Sequence, residues 1–329
     1  MGNRVWFRGV MTGVDQTDIG AASQRLAERL AAWGVADVAS LRSELAALLA
    51  SVTPAQARHF VQRLESTGAS WGYHEPDPVA RIVTRATQQL VLEPGSTLEN
   101  AAALEIARTR PVLLLGNHLS FIDANALDYL MTEAGFPDVA EHMTVLVGPK
   151  VYTHPIRRLA SLCFGTINVA QSASRASGDA LMSRREVARL APETFRVARE
   201  RREHGDHLLI FVEGTRSRTG AMQRALPAVS RYLESGDALL LPWAVTGTER
   251  LMPIEEGTLQ RARVTARMGT PVDGSQLLQR CEGKRALAMD AIGFLIADLL
   301  PESYRGIYGS PRTGGTPAQE IARSLARIS

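Results

Sequence analysis

The stretch PVLLLGNHLSFID, Pro111 to Asp123, decides how the chain is read. Its first half is a short, continuously apolar run, which suits a strand buried on both faces better than one alternating between core and water. Its second half turns polar at once. Asp123 lies about one helical turn beyond His118, so its carboxylate can fold back onto one ring nitrogen and leave the other facing a cleft as a base. Asn117 and Ser120 are suited to hold the turn through side-chain hydrogen bonds to the backbone. Taken alone, the pair reads more readily as a polar helix start with a solvated or capping carboxylate, since an isolated H-x4-D arises by accident.

Five further segments share the strand-like character: MTVLVG (143–148), TINVA (166–170), HLLIFVEG (207–214), ALLLPWAV (238–245) and RARVTARMG (261–269). Helix-like segments lie near 121–135, 155–163, 179–203, 222–235 and 284–299. Apolar strands separated by helices predict an α/β fold with a mostly parallel central sheet flanked by helices. Ligands of such sheets sit beyond the carboxyl ends of the strands, which directs attention to the loops after PVLLL and LLIFV.

Ahead of this pattern, residues 15–68 read as three amphipathic helices, the last opening with Thr53 as N-cap and Pro54 at the first helical position. The turn-rich SWGYHEPDP, Ser70 to Pro78, then marks a boundary, giving an N-terminal helical domain over 1–76 and an α/β domain over 77–329. PVARIVTRATQQLVL and STLENAAALEIART are expected to be helices just after it. The GASWG at Gly68–Gly72 matches a nucleophile elbow only formally, because a helix precedes it and a proline-containing loop follows.

Composition narrows the function classes. A chain of 329 residues, 45% of them apolar, has room for one large core and a smaller module. Its longest apolar runs are strand-length, too short for a membrane span, and MGNRVWFRGVMTG at the start lacks a secretory apolar region. A cytoplasmic location is expected, with peripheral membrane contact as the variant. Cys163 and Cys281 stand far apart with no metal-type spacing, so reduced structural thiols and neither metal nor cofactor are expected. The net charge is +3 and the only lysines are Lys150 and Lys284, so the cations are overwhelmingly arginines, whose planar forks suit phosphates and carboxylates. No helix-turn-helix, zinc or aromatic RNA-binding signature accompanies this basic balance, which disfavours nucleic acid as a partner.

The second strand-end loop is FVEGTRSR, Phe211 to Arg218. Gly214 allows close backbone approach, and Thr215, Arg216, Ser217 and Arg218 supply hydroxyl and guanidinium donors for an anion. Together, GNHLSFID and FVEGTRSR closely resemble the glycerolipid acyltransferases, the superfamily of glycerol-3-phosphate and lysophosphatidate acyltransferases. Their pattern is N-H-x4-D followed downstream by F-P-E-G-T-R-S, with Val212 here where proline is usual. GPKVYTHPIRRLASLCFGTINVAQS resembles the family's second block through Lys150, Pro155, Gly165, Ile167 and Val169. LLLPWAVTGTE, with Pro242, is similar to the fourth.

The resemblance implies that His118 is the general base, that Asp123 orients it, and that the acceptor hydroxyl attacks an acyl thioester directly. Backbone N–H groups near Gly214 or at the helix start after His118 would hold the oxyanion. Glu213, Gly214, Thr215, Arg216, Ser217, Arg218, Lys150 and Arg175 would bind the acceptor, with Asn117, Ser120, Gly165 and Pro242 supporting the motifs. Many members close the second block with an arginine that holds the acceptor phosphate. Here Gln171 stands at that position, leaving Arg175, Arg216 and Arg218 to do its work or an acceptor without phosphate.

The helical region in front of the core and the long helix between the second and third blocks resemble the soluble plastid type of glycerol-3-phosphate acyltransferase, which takes its acyl group from acyl carrier protein. Arg184, Arg185, Arg189, Arg196, Arg199, Arg201 and Arg202 on that helix suit an acidic carrier protein or anionic lipid headgroups. The plain alternative is a solvated face of i,i+4 ion pairs. The expected activity is acyl transfer from acyl carrier protein or coenzyme A to a hydroxyl of glycerol 3-phosphate or a lysophospholipid. The alternatives are a non-phosphorylated hydroxyl or amine acceptor, thioester hydrolysis, or a non-catalytic acyl-carrier or lipid-binding module.

Overall fold

The computed structural model describes residues 52–152, 155–170, 182–234, 238–254, 258–309 and 315–326, together with Glu28, Ala31 and Ser43. Most of the helical region expected before residue 52 therefore lies outside the described residues, as do Gln171 and Arg175.

Nine strands form one sheet among the described residues: β1 (Tyr73–His74), β2 (Thr97–Glu99), β3 (Val112–Gly116), β4 (Met143–Val147), β5 (Gly165–Asn168), β6 (His207–Phe211), β7 (Leu239–Thr246), β8 (Thr265–Met268) and β9 (Val272–Asp273). The order is β1-β5-β4-β6-β3-β7-β8-β2, with β9 also pairing with β7. The central run β5-β4-β6-β3-β7 is parallel, while β1 on β5 and both β8 and β9 on β7 are antiparallel. The sheet is mostly parallel, as the apolar strand pattern predicts.

The continuous apolar runs have a direct explanation in the two faces. Val112 and Leu114 of β3 point into one core with Leu209, Leu241, Trp243 and Val245, while Leu113 and Leu115 point into the other with Leu208, Ile210, Leu240 and Ala244. Each face is covered, so neither set of alternate residues is released to water.

The described helices are α1 (Pro54–Ser66), α2 (Pro78–Val91), α3 (Asp123–Glu133), α4 (Pro137–Glu141), α5 (Pro155–Leu162), α6 (Arg184–Glu203), α7 (Thr248–Leu251), α8 (Gly274–Arg280), α9 (Arg285–Asp298) and α10 (Pro317–Ala326). Thr53 caps α1 in a reciprocal capping box with Gln56, and Asp77 caps α2 through the N–H groups of Val79 and Ala80. Helix α1 packs on α5 and α2, and β1 pairs with β5, so residues 54–74 rest on the α/β unit. Helix α10 packs on α9 through Ala318, Ala322 and Leu325. None of the described helices is long and apolar enough to cross a membrane.

Two segments differ from the periodicity. STLENAAALEIART is not one helix: Thr97–Glu99 joins the sheet beside β8, and Ala101–Arg108 is a 3₁₀ helix. Between them Asn100 adopts φ 55° and donates its side-chain amide to the Met268 carbonyl, which breaks any continuous helix. Residues 222–235 are likewise irregular up to a 3₁₀ helix over Pro227–Leu233, because the N–H groups of Gln223 and Leu226 are drawn to Glu213 and to the Val212 carbonyl. Pro242 is tolerated inside β7 for a geometric reason. Val245 turns its N–H toward the β3 side, so by alternation Pro242 presents its nitrogen to the opposite side, where β8 hands over to β9 and no ladder bond is required.

Candidate active site

The site begins where β3 leaves the sheet. Val212 donates its N–H to the Gly116 carbonyl at 3.0 Å, extending the β3–β6 ladder one residue beyond the strand, with an N–H that the proline of the family pattern lacks. On the other side the Asn117 amide accepts from Val245 N at 2.9 Å and donates to Val245 O at 3.0 Å, so a side chain reproduces a backbone pairing with β7. Gly116 is required by packing: a Cβ there would lie 2.3 Å from the Trp243 indole. The chain thus arrives at His118 with both neighbouring strands fixed.

His118 Nδ1 lies 2.8 Å from Asp123 Oδ2. The same carboxylate accepts the N–H of Leu119 at 2.7 Å and of Ser120 at 3.0 Å, and Asp123 is 0% exposed. An acceptor-only carboxylate surrounded by donors assigns the proton to Nδ1 and leaves Nε2 as the basic nitrogen. The imidazole is also stacked on Phe211, with centroids 3.9 Å apart and planes 15° from parallel, and Trp243 backs Phe211. Packing and hydrogen bonding together hold the ring in one orientation.

The second loop clamps the first. Glu213 Oε1 accepts the His118 N–H at 2.8 Å and Oε2 accepts Gln223 N at 2.7 Å, while Ser217 N donates to the His118 carbonyl at 2.7 Å. Both backbone groups of His118 are therefore satisfied by EGTRS. Burial pushes the Glu213 carboxyl up to about 7, helped by the nearby charge of Asp123 and opposed by its two N–H bonds. Gly214 makes the turn with φ 66°, and its N–H returns to the Phe211 carbonyl at 3.1 Å. Ser217 is buried, its hydroxyl donating to Ala221 O at 2.7 Å.

These bonds place the predicted residues differently within one site. Thr215 and Arg216 are half-buried and Arg218 is exposed, whereas Glu213 and Ser217 are turned inward as braces. The N–H groups of Leu119, Ser120 and Gly214, expected to serve an oxyanion, already have acceptors. Lys150 follows β4 in a short 3₁₀ turn, at the same sheet edge as the two loops. Gly165 opens β5 at the opposite edge, where a Cβ would meet Thr144 Oγ1 at 2.4 Å, so it is a packing glycine.

One residue escaped the motif reading. Arg157, near the start of α5, places its guanidinium carbon 3.9 Å from the Phe121 ring centre, and Arg216 places its own at 3.6 Å from the same centre. Burial holds the Arg216 guanidinium down at about 10, with the charge of Arg157 adding to the effect and that of Asp123 opposing it, so it stays cationic near neutrality. Burial also lowers Arg157. One of two adjacent arginines after a proline has no sequence signature, which is why it goes unnoticed in the sequence.

Three arginines of α6 have carboxylate partners. Arg196 pairs with Glu193 and Glu200, Arg199 with Glu203, and Arg201 with Asp206 while stacking on Tyr73. Arg202 is buried, whereas Arg185 and Arg189 are exposed.

A mostly parallel sheet whose strand-end loops join a half-buried histidine and its buried aspartate to a cationic loop brings together the parts of a general-base site. The family model Acyltransferase matches residues 97–273, more than half of the chain, and the chain belongs to that family. Among solved structures, the chain is similar to the 1-acyl-sn-glycerophosphate (LPA) acyltransferase PlsC from Thermotoga maritima, with 14% identity and a TM-score of 0.47 over 87% of this chain and 99% of that one. No curated protein sequence matches the chain.

Proposed function

We propose that the protein moves a fatty acyl group from an acyl thioester, on acyl carrier protein or coenzyme A, to a hydroxyl of glycerol 3-phosphate or a lysophospholipid. The observation that carries this reading is the His118–Asp123 pair, whose buried carboxylate is saturated by N–H donors and leaves Nε2 as the only basic ring nitrogen.

In this mechanism Nε2 takes the proton of the acceptor hydroxyl as its oxygen attacks the thioester carbonyl. Asp123 stabilises the imidazolium that forms. The tetrahedral intermediate then collapses, the carbon–sulfur bond breaks, and the thiolate recovers the proton from Nε2. General-base catalysis of this kind is worth roughly 10²–10⁴ in rate. No acyl-enzyme forms, since the hydroxyl nucleophile belongs to the acceptor. Arg216, with Thr215, Arg218 and Lys150 at the same sheet edge, supplies the donors for the acceptor's anionic group, while Glu213, Gly214 and Ser217 shape the loop that carries them.

The test is a mass-spectrometric screen of acyl carrier protein and coenzyme A thioesters against phosphorylated and unphosphorylated alcohols and amines. Acylated product is expected with wild-type protein and none with His118→Ala, which should retain the native circular dichroism spectrum. Wild-type turnover by that variant would remove the mechanism. Thioester loss that proceeds equally without any acceptor would replace transfer with hydrolysis.

A further inference from the structure

The EGTRS loop holds the main chain of His118, and it is itself held from behind. Residues 221–226, which follow it, form neither helix nor strand, so their path depends on bonds to other parts of the chain. Gln223 N goes to Glu213 Oε2 at 2.7 Å. The residues on either side of Gln223 are tied to a strap, residues 301–309, that runs on from α9 outside every motif block. Met222 donates its N–H to the Tyr304 carbonyl at 2.8 Å and accepts the Ile307 N–H at 3.3 Å. Gly306, at φ 53°, brings the two backbones so close that a Cβ there would lie 1.9 Å from the Met222 oxygen. Ala225 donates its N–H to the Tyr308 hydroxyl at 2.9 Å, and that hydroxyl donates in turn to Asp290 Oδ1 of α9 at 3.2 Å. Asp290 also pairs with Arg224. The buried Tyr308 ring is keyed into α9: a Cβ at Gly293 would lie 2.1 Å from its Cζ, and Phe294 meets it edge-on with centroids 5.1 Å apart. A hydroxyl that both accepts and donates on a locked ring holds the Ala225 amide at a set point.

We infer that Tyr308 is a positioning residue for His118, acting through Ala225, Gln223 and Glu213. Tyr308 fixes Ala225, two residues from Gln223. Gln223 N fixes one oxygen of Glu213, and the other oxygen fixes the His118 N–H at 2.8 Å. Without the hydroxyl, the buried Ala225 N–H has no partner, and its relief is to swing the 221–226 segment toward another acceptor. That swing carries Gln223 N away from Glu213. The role of His118 as the base rests on the acyl-transfer reading above. The mechanical path from Tyr308 to the His118 amide does not.

Tyr308→Phe in the full chain removes the hydroxyl and keeps the ring in its notch. In steady-state transfer its kcat should fall about three- to tenfold, the worth of one hydrogen bond. KM for thioester and acceptor should stay close to wild type, because the bonds of Gly214 and Ser217 that shape the loop are untouched. Added to Glu213→Gln, the same change should slow that variant by no more than about twofold, since the path is already broken there. An unchanged kcat overturns the inference. So do two effects that multiply in full, which would leave Tyr308 a purely structural residue. Amide hydrogen exchange followed by NMR tests the path without any substrate. In Tyr308→Phe the amides of Gln223 and His118 should exchange about three- to tenfold faster, while Leu113 and Leu114 of β3 keep their wild-type rates. Acceleration confined to Ala225, or spread equally over β3, sinks the proposal. If no acceptor is acylated at all, the transfer reading falls by itself and exchange decides the path alone. Should Tyr308→Phe not fold, Asp290→Ala, which strips Arg224 and the Tyr308 hydroxyl of their shared acceptor, must speed exchange at the same two amides. Wild-type rates there are equally fatal.

Discussion

Glu213 Oε1 accepts the backbone N–H of His118 at 2.8 Å, so the EGTRS loop holds the main chain of the residue proposed as the base. Ser217 holds the other side of the same residue through the His118 carbonyl. A motif carboxylate that looks from the sequence like a ligand for the acceptor thus spends both oxygens on backbone N–H groups. The position of Nε2 depends on it, because Asp123 and Phe211 fix the ring's orientation but not the height of the Cα from which the ring hangs.

Glu213→Gln should therefore lower kcat while leaving KM for both substrates nearly unchanged. The amide keeps one acceptor and turns an NH₂ group toward either His118 N or Gln223 N, losing one of the two bonds. Stability supplies an independent check. The carboxyl is raised from 4.5 to about 7 in the folded protein, so its contribution is fully present below pH 4.5 and is lost as pH rises through 7. The wild type should lose about 3 kcal/mol relative to the glutamine variant between those limits. Urea unfolding of both proteins at pH 4.5 and pH 8 measures it, and parallel curves would show that Glu213 is not buried as described.

Asp123→Asn tests the carboxylate's charge. Oδ2 accepts the N–H groups of Leu119 and Ser120 as well as facing Nδ1, so an asparagine keeps its oxygen there, and the ring proton stays on Nδ1 while the negative charge that stabilises the imidazolium is lost. Transfer should fall by at least about tenfold, with about 10⁴, the loss the same change causes in a Ser-His-Asp triad, as the upper bound. A variant with wild-type kcat would mean that no imidazolium forms at His118 during transfer.

How much of this was legible follows from where each signal resides. The His–Asp pair can be read because strand end, spacing and side-chain chemistry are all local to Gly116–Asp123. The sheet can be read because β3, β6 and β7 are buried on both faces and advertise it with unbroken apolar runs. Strand β2 cannot, since its three residues gain their conformation from pairing with β8 and from the left-handed Asn100. Nor can the irregular path after Met222, which is imposed by Glu213 reaching across the loop. Arg157 is invisible for the same reason: only folding brings α5 against the HLSFID loop.

Asn117→Ala should be costly for stability as well as activity. Its amide satisfies both the N–H and the carbonyl of Val245 in a fully buried position, and alanine leaves both unpaired. Each orphaned buried group costs about 1–3 kcal/mol, so a loss of roughly 2–5 kcal/mol is expected in denaturant unfolding. Asn117→Asp, which keeps the acceptor for Val245 N but meets the carbonyl with a second oxygen, should rescue little of it. A loss below 1 kcal/mol for the alanine variant would show that solvent or another side chain replaces the bridge.

The two motif glycines separate packing from backbone conformation. A Cβ at Gly116 would lie 2.3 Å from the Trp243 indole, which is 0% exposed and has no room to retreat, while the backbone there is ordinary strand. At Gly214 the Cβ would lie 2.3 Å from Leu226 Cδ1, the tip of a side chain that is 43% exposed and free to swing aside, but the residue holds φ 66°. Gly214→Ala should then cost only the left-handed penalty of roughly 1–2 kcal/mol. Gly116→Ala should cost about 3 kcal/mol or more through overpacking. Guanidinium unfolding of the two variants ranks them, with Gly116→Ala much the worse. Replacing Trp243 by Leu in the same chain should recover part of the Gly116→Ala loss and none of the Gly214→Ala loss. The reverse ranking would mean that β7 can move away from β3 and that the His118 loop is anchored by the turn at Gly214 alone.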